Sequence, residues 1–194
     1  MRGSPQICML LLSQRLGEYV RMRREFRRLG RRMNIKRLTL SALLASLYAT
    51  LVQLGHPISF LVFQVRVANA LIGLVPLLGK PAILGLTLGV FLANTTSPLG
   101  PIDLVSAAPS LIFMAVLYWM SRRMGDLGVI LGLTLYSVAL STWVSFMLWY
   151  VLKLDFTATF LYIFGGIFIA TCLLGFLTYR ILKRIFNAIG GVGV

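Results

Sequence analysis

Five stretches of this chain carry no Asp, Glu, Lys or Arg: Leu38 to Val65, Pro81 to Ile102, Leu104 to Ser121, Leu127 to Leu152 and Phe156 to Tyr179. A helix needs about 20 mostly apolar residues to cross the hydrocarbon core of a bilayer, and each stretch is of that order. The alternative, helices buried inside a soluble globule, requires polar surface to cover them. A chain of 194 residues with 12% charged side chains has too little. The sequence therefore reads as an all-α, polytopic membrane protein.

Gly and Pro punctuate the apolar runs at Gly55-His56-Pro57, Gly79-Lys80-Pro81, Ser97-Pro98-Leu99-Gly100-Pro101 and Gly125-Asp126. They divide the chain into six expected transmembrane helices: Leu38–Leu54, Phe60–Leu78, Pro81–Asn94, Leu104–Ser121, Leu127–Val151 and Thr157–Tyr179. Positive charge collects on the cytoplasmic side of membrane proteins. With six spans, 17 of the 19 Lys and Arg fall on the side that holds both termini, and only Arg66 and Lys153 fall elsewhere. Both termini are thus expected in the cytoplasm of a multi-pass plasma-membrane protein.

Residues 1–32 read as a separate basic extension before a membrane domain at 33–194. Arg21 to Arg32 holds seven arginines and one Glu. The apolar run Ile7–Leu12 precedes this cluster and does not follow it, which is the wrong order for a signal peptide. Two readings stand: a basic segment lying on the membrane surface, or a translation start at Met33.

The net charge of +14 would suggest nucleic acid in a soluble protein. Here the basic residues flank apolar spans, so topology and anionic lipid headgroups account for them, and no nucleic-acid partner is expected. Cys8 and Cys172 form no CxxC or Cys/His cluster, and the lone His56 has no ligand-type neighbours, so no metal or cofactor is expected. The chain contains no GxxxxGK[ST] and no GxSxG. It has no carboxylate pair at helical spacing inside a span, which leaves both catalysis and proton coupling poorly equipped.

A polar side chain at membrane depth costs roughly 2.5–3.5 kcal/mol on insertion scales, so it marks a site by default. Gln64, Arg66 and Asn69 lie at the start of the second span, with Arg66 and Asn69 on one helix face. They supply a guanidinium fork, amide carbonyls and N–H donors suited to the edge of a planar polar ligand; the alternative is snorkelling and helix capping. Asn94 and Asp103 flank the Pro/Gly-rich break after the third span, where irregular backbone is tolerated if it lines a cavity. Asp103 either faces that ligand or caps span four. Finally, Ser41, Ala45 and Ala49, with Ala42 and Ser46 beside them, form a small-residue stripe that lets another helix approach closely.

The blocks Gln64-x-Arg66-x2-Asn69-Ala70-Leu71, Pro81-Ala82-Ile83-x-Gly85-x3-Gly89-x3-Ala93-Asn94 and Gly100-x2-Asp103 resemble the QueT family. Its members are substrate-binding (S) components of energy-coupling factor transporters, associated with queuosine precursors. The resemblance spans about Met33 to Leu111. It implies a six-helix S component that binds a 7-deazaguanine or similar purine-like base from outside. Such a component works with a transmembrane coupling subunit and two cytoplasmic ATPases. It also implies that Ser41, Ala45 and Ala49 face the coupling subunit, and that Gln64, Arg66, Asn69, Asn94 and Asp103 bind substrate.

Two positions depart from the family pattern. Asn69 stands where Glu is usual, and a second Glu of the last span is replaced around Gly165-Gly166. Without those carboxylates a neutral ligand such as the nitrile preQ0 is expected over the aminomethyl cation of preQ1. Two other classes stay open: a stand-alone secondary transporter using the same cavity, and a small intramembrane enzyme, for which no nucleophile or acid/base pair is visible.

Overall fold

The computed structural model describes residues 35–55, 66–97 and 100–188. Its first helix, α1 (Ile35–Leu54), contains neither Gly nor Pro and runs unbroken to Gly55. A 3-10 helix (Val67–Leu74) follows and passes directly into the short α2 (Val75–Leu78). The change of helix type falls beside Pro76, whose ring excludes the carbonyl four residues back. That carbonyl, on Ile72, instead accepts from the Val75 amide. After Gly79 comes α3 (Lys80–Asn94), then a second 3-10 helix (Gly100–Ser106) leading into α4 (Ala107–Leu152). The final run is continuous: α5 (Phe156–Phe168), a π-helical stretch (Ile169–Leu174) and α6 (Gly175–Ala188). Clustering of contacts divides the chain into Met1–Leu38 and Thr39–Val194, and the helices that build the site lie in the second unit.

Helix α4 has 46 residues. Straight, it would be about 69 Å long, over twice the thickness of a bilayer core. It bends at Gly125, whose φ of 58° and ψ of −134° suit only a residue without Cβ. Beyond the bend the chain doubles back. Gly128 packs on Met120, Gly132 on Leu117, Tyr136 on Ser110 and Trp143 on Ser106. Positions fall along one arm as they rise along the other, so the arms are antiparallel. They correspond to the expected spans Leu104–Ser121 and Leu127–Val151.

Among the described residues, three helical runs are long and apolar enough to cross a membrane: Ile35–Leu54, Pro101–Leu152 and Phe156–Ala188. Val67–Leu78 and Lys80–Asn94 are shorter apolar helices; the expected second span also includes residues 60–65, outside the described residues. The last helix runs well past Tyr179, its expected end. Beyond that point it is held by Tyr179 and Lys183, which both donate to Asp126 beside the Gly125 bend.

Part of the small-residue stripe of α1 packs inward. Ser41 and Ala45 are buried against α3 of the same chain, and Ala49 is half-buried. The Ser41 hydroxyl donates to the Pro81 carbonyl at 2.9 Å. The close approach is made possible by α3: a Cβ on Gly85 would lie 2.5 Å from the Ser41 carbonyl oxygen, and one on Gly89 2.7 Å from Tyr48 Cβ. Small residues on two helices thus meet each other. Ala42 and Ser46 remain exposed.

The distribution of polarity is that of a membrane protein. Ser110, Ser137, Ser141 and Thr171 are fully buried, whereas Leu161, Leu173 and Ile112 stand 58–68% exposed on the outside. In water such an exterior would aggregate; in lipid it costs nothing. The buried Ser137 and Ser141 hydroxyls bond back to the carbonyls of Leu133 and Ser137, at 2.9 and 2.7 Å.

Candidate functional site

The two ends of the helical unit differ in chemistry. At the Gly125 end lie Arg122 and Arg123 of the bend, with Lys183 and its neighbours Arg180 and Arg184. Lys80 joins them, because Gly79 packs beside the Tyr118 ring. The Lys183 ammonium holds the Asp126 carboxyl below the usual carboxylate range, and the carboxylate in turn raises the Lys183 pKa.

Toward the other end, in the interior, four of the five expected ligand residues come together. Arg66 sits at the start of the first 3-10 helix, where the Asn69 amide closes a tight turn onto its carbonyl at 2.8 Å. Its Nη1 donates to Asn94 Oδ1 at 3.1 Å, and its Nη2 lies 3.7 Å from Asp103 Oδ2. Asn94 Nδ2 donates to the Asp103 carbonyl at 3.0 Å. Asn69 joins through Tyr48, whose hydroxyl donates to Asn69 Oδ1 at 2.7 Å. Arg66, Asn69, Asn94 and Asp103 are all buried. Gln64, like His56, lies outside the described residues.

Asp103 does not cap span four. It sits within the 3-10 helix Gly100–Ser106, and its Oδ1 accepts from the Ser106 hydroxyl at 2.9 Å. Ser106 itself stands at the N-cap of α4. The buried carboxylate is thus committed to Arg66 and Ser106.

Backbone contacts hold this arrangement in place. A Cβ on Gly73 would fall 1.9 Å from the Gly175 carbonyl oxygen, so the 3-10 helix carrying Asn69 crosses the last helix backbone to backbone. At an exposed edge of the unit, Gln53 Nε2 donates to Thr96 Oγ1 at 2.6 Å and ties the end of α1 to the turn after Asn94.

Tyr48, Arg66, Asn69, Ser106, Ser110 and Tyr136, with apolar side chains from α3, α4 and α5, bound a cavity. Its volume open to water is about 20 Å³, room for one water. Tyr48, Ser106, Ser110 and Tyr136 carry no distinguishing sequence signal, because Tyr and Ser are common in apolar helices. Trp143 adds a further contact, its Nε1 donating to the Ser106 hydroxyl at 3.2 Å. The site offers a paired cation and anion, amides and hydroxyls: hydrogen-bonding chemistry without net charge.

An apolar exterior around buried polar side chains, gathered toward the end opposite the basic one, defines a multi-pass membrane protein with an internal polar site. The chain belongs to the QueT transporter family, whose model matches residues 38–184. That match includes every residue of the cluster and bears out the resemblance read from the sequence. The protein is therefore a membrane transporter of that family. No curated protein and no solved structure matches the chain.

Proposed function

We propose that this chain is the membrane-embedded substrate-binding component of an energy-coupling factor importer, and that it takes a neutral 7-deazaguanine or similar purine-like base from the outer side. The observation that carries this reading is the buried cluster of Arg66, Asn69, Asn94 and Asp103. Four polar side chains from three separate elements converge in an apolar interior away from the basic end, and two of them, Arg66 and Asn69, line the cavity. Six crossings with both termini cytoplasmic put the Arg122–Arg123 bend inside and the cluster near the outer face. Residues 1–32 then form a cytoplasmic basic extension before the membrane domain at 33–194.

The Arg66–Asp103 pair makes the site formally neutral, and Asn69 adds no charge. A neutral ligand such as preQ0 suits that balance better than the amine preQ1. A bicyclic base exceeds the present cavity, so binding requires the lining to part, and the Gln53–Thr96 link at the rim is where opening begins. The chain has no P-loop ATP-binding motif, which fits an importer whose energy comes from a coupling subunit and two cytoplasmic ATPases. The exposed Ala42 and Ser46, with half-buried Ala49, are the part of the small-residue face of α1 open to that subunit.

Reconstitution tests the proposal. The chain alone in liposomes should bind the base without accumulating it, and accumulation should appear when the coupling subunit, both ATPases and ATP are added. Accumulation by the chain alone under an ion gradient would assign it instead to the stand-alone carriers.

A further inference from the structure

Hydrogen-bond donors and acceptors around the cavity are unevenly spent. Asn69 Oδ1 is taken by the Tyr48 hydroxyl at 2.7 Å, Asn94 Oδ1 by Arg66 Nη1 at 3.1 Å, and Asp103 Oδ1 by the Ser106 hydroxyl at 2.9 Å. Asp103 Oδ2 accepts no hydrogen bond but is ion-paired with Arg66 Nη2 at 3.7 Å, and Asp103 does not line the cavity. The Asn69 amide nitrogen does face it. Among the described residues it has no hydrogen-bond partner, although Asn69 is 4% exposed and lines the cavity. An amide nitrogen carries two N–H donors and no acceptor. Toward the cavity, Asn69 therefore presents donors.

Tyr48 sets this polarity. Its ring is 1% exposed, and its Cβ is packed so closely on Gly89 that a methyl there would come within 2.7 Å. The hydroxyl has one proton to give. That proton goes to Asn69 Oδ1 at 2.7 Å, so the amide is held with its carbonyl toward Tyr48 and its NH2 group, which carries only donors, away. The carbonyl that sequence alone leaves available at Asn69 is already used.

We propose that Tyr48 is a positioning residue that turns the Asn69 amide so that its NH2 group meets the ligand. The site thereby selects a neutral base with a hydrogen-bond acceptor, a carbonyl or nitrile, at that edge over one bearing a cationic amine. This rests on the reading of the cavity as a ligand site. A buried donor left facing a cation is unsatisfied and repelled, and leaving such a group unpaired costs enough to shift affinity roughly tenfold or more.

The experiment uses the full chain in nanodiscs, titrated with preQ0 and with preQ1, as wild type, Tyr48→Phe and Asn69→Asp. Wild type should prefer the nitrile by about tenfold or more. Tyr48→Phe frees the amide to present either end and should shrink that ratio about tenfold, while Asn69→Asp replaces the donor with a carboxylate and should reverse it. Wild type that binds neither compound overturns the ligand-site reading and this proposal with it. Wild type that favours the amine overturns the proposal alone, as does a nitrile preference left unchanged in Tyr48→Phe. Should Tyr48→Phe fail to fold, Asn69→Asp decides, and retention of the nitrile preference there also overturns the proposal.

Discussion

The Arg66 guanidinium and the Asp103 carboxylate approach to 3.7 Å in the protein interior, with side chains 9% and 2% exposed. Each charge compensates the other in an interior where a lone charge is costly, and Asn94 bridges them by accepting from Arg66 and donating to the Asp103 backbone. The pair therefore leaves the buried cluster without net charge, while the Asn94–Asp103 bond closes the chain across the Pro/Gly-rich break.

Removing one partner leaves a buried charge uncompensated. Arg66→Ala and Asp103→Ala should each cost about 3–5 kcal/mol, and the double variant clearly less than the sum. Chemical denaturation in detergent measures this coupling. Strict additivity would show that the pair contributes nothing.

The helix crossings depend on missing side chains. Gly73→Ala drives a methyl into the Gly175 carbonyl at 1.9 Å, and overpacking of this kind costs about 1–3 kcal/mol or more. Gly165 has open space around its Cβ position within a helix, so Gly165→Ala should be neutral or stabilising by up to about 1 kcal/mol. Melting temperatures of the two variants should move in opposite directions, or the second should not move.

At the bend the cost lies in the backbone. Nothing lies within 4 Å of a Cβ on Gly125, yet its φ is 58°. Gly125→Ala should therefore destabilise by about 1–3 kcal/mol through strain alone. An unchanged melting temperature would mean that the two arms tolerate another turn geometry.

Much of this site is legible in the sequence. Arg66, Asn69, Asn94 and Asp103 stand out because charge and amide are costly inside apolar runs, and three-residue spacing pairs Arg66 with Asn69. Gly125 is legible as a break because it sits at a gap between charge-free stretches. Tyr48 and Tyr136 are not, since a tyrosine in a membrane helix is as often an interfacial anchor as a site residue. The stripe of Ser41 and Ala45 shows the limit most clearly: small residues at four-residue spacing announce a close helix contact without naming the partner. That partner was α3, whose Gly85 and Gly89 repeat the same spacing.

The Asp126–Lys183 pair gives a pH dependence outside the charge-free runs. The depressed Asp126 pKa stabilises the folded protein above the unfolded carboxylate pKa of 3.8, and this contribution is lost as pH falls through the lower folded value. The raised Lys183 pKa stabilises below the unfolded value of 10.5, and this is lost as pH rises through the higher folded value. Between these limits the pair contributes no slope. Asp126→Asn should remove part of the acid-side loss of stability and leave neutral pH behaviour flat. An altered slope near neutrality would contradict this assignment.

The central claim is that the Arg66 cluster binds a neutral base, and titration of the purified chain in nanodiscs with preQ0, as wild type and as Arg66→Lys, tests it most directly. Lysine keeps the charge opposite Asp103 but lacks the planar fork that reaches Asn94 and a ligand together. The account predicts saturable binding to wild type and a loss of about tenfold or more in affinity for Arg66→Lys, with little change in melting temperature. Absence of saturable binding to wild type, or equal affinity in the two proteins, would contradict it.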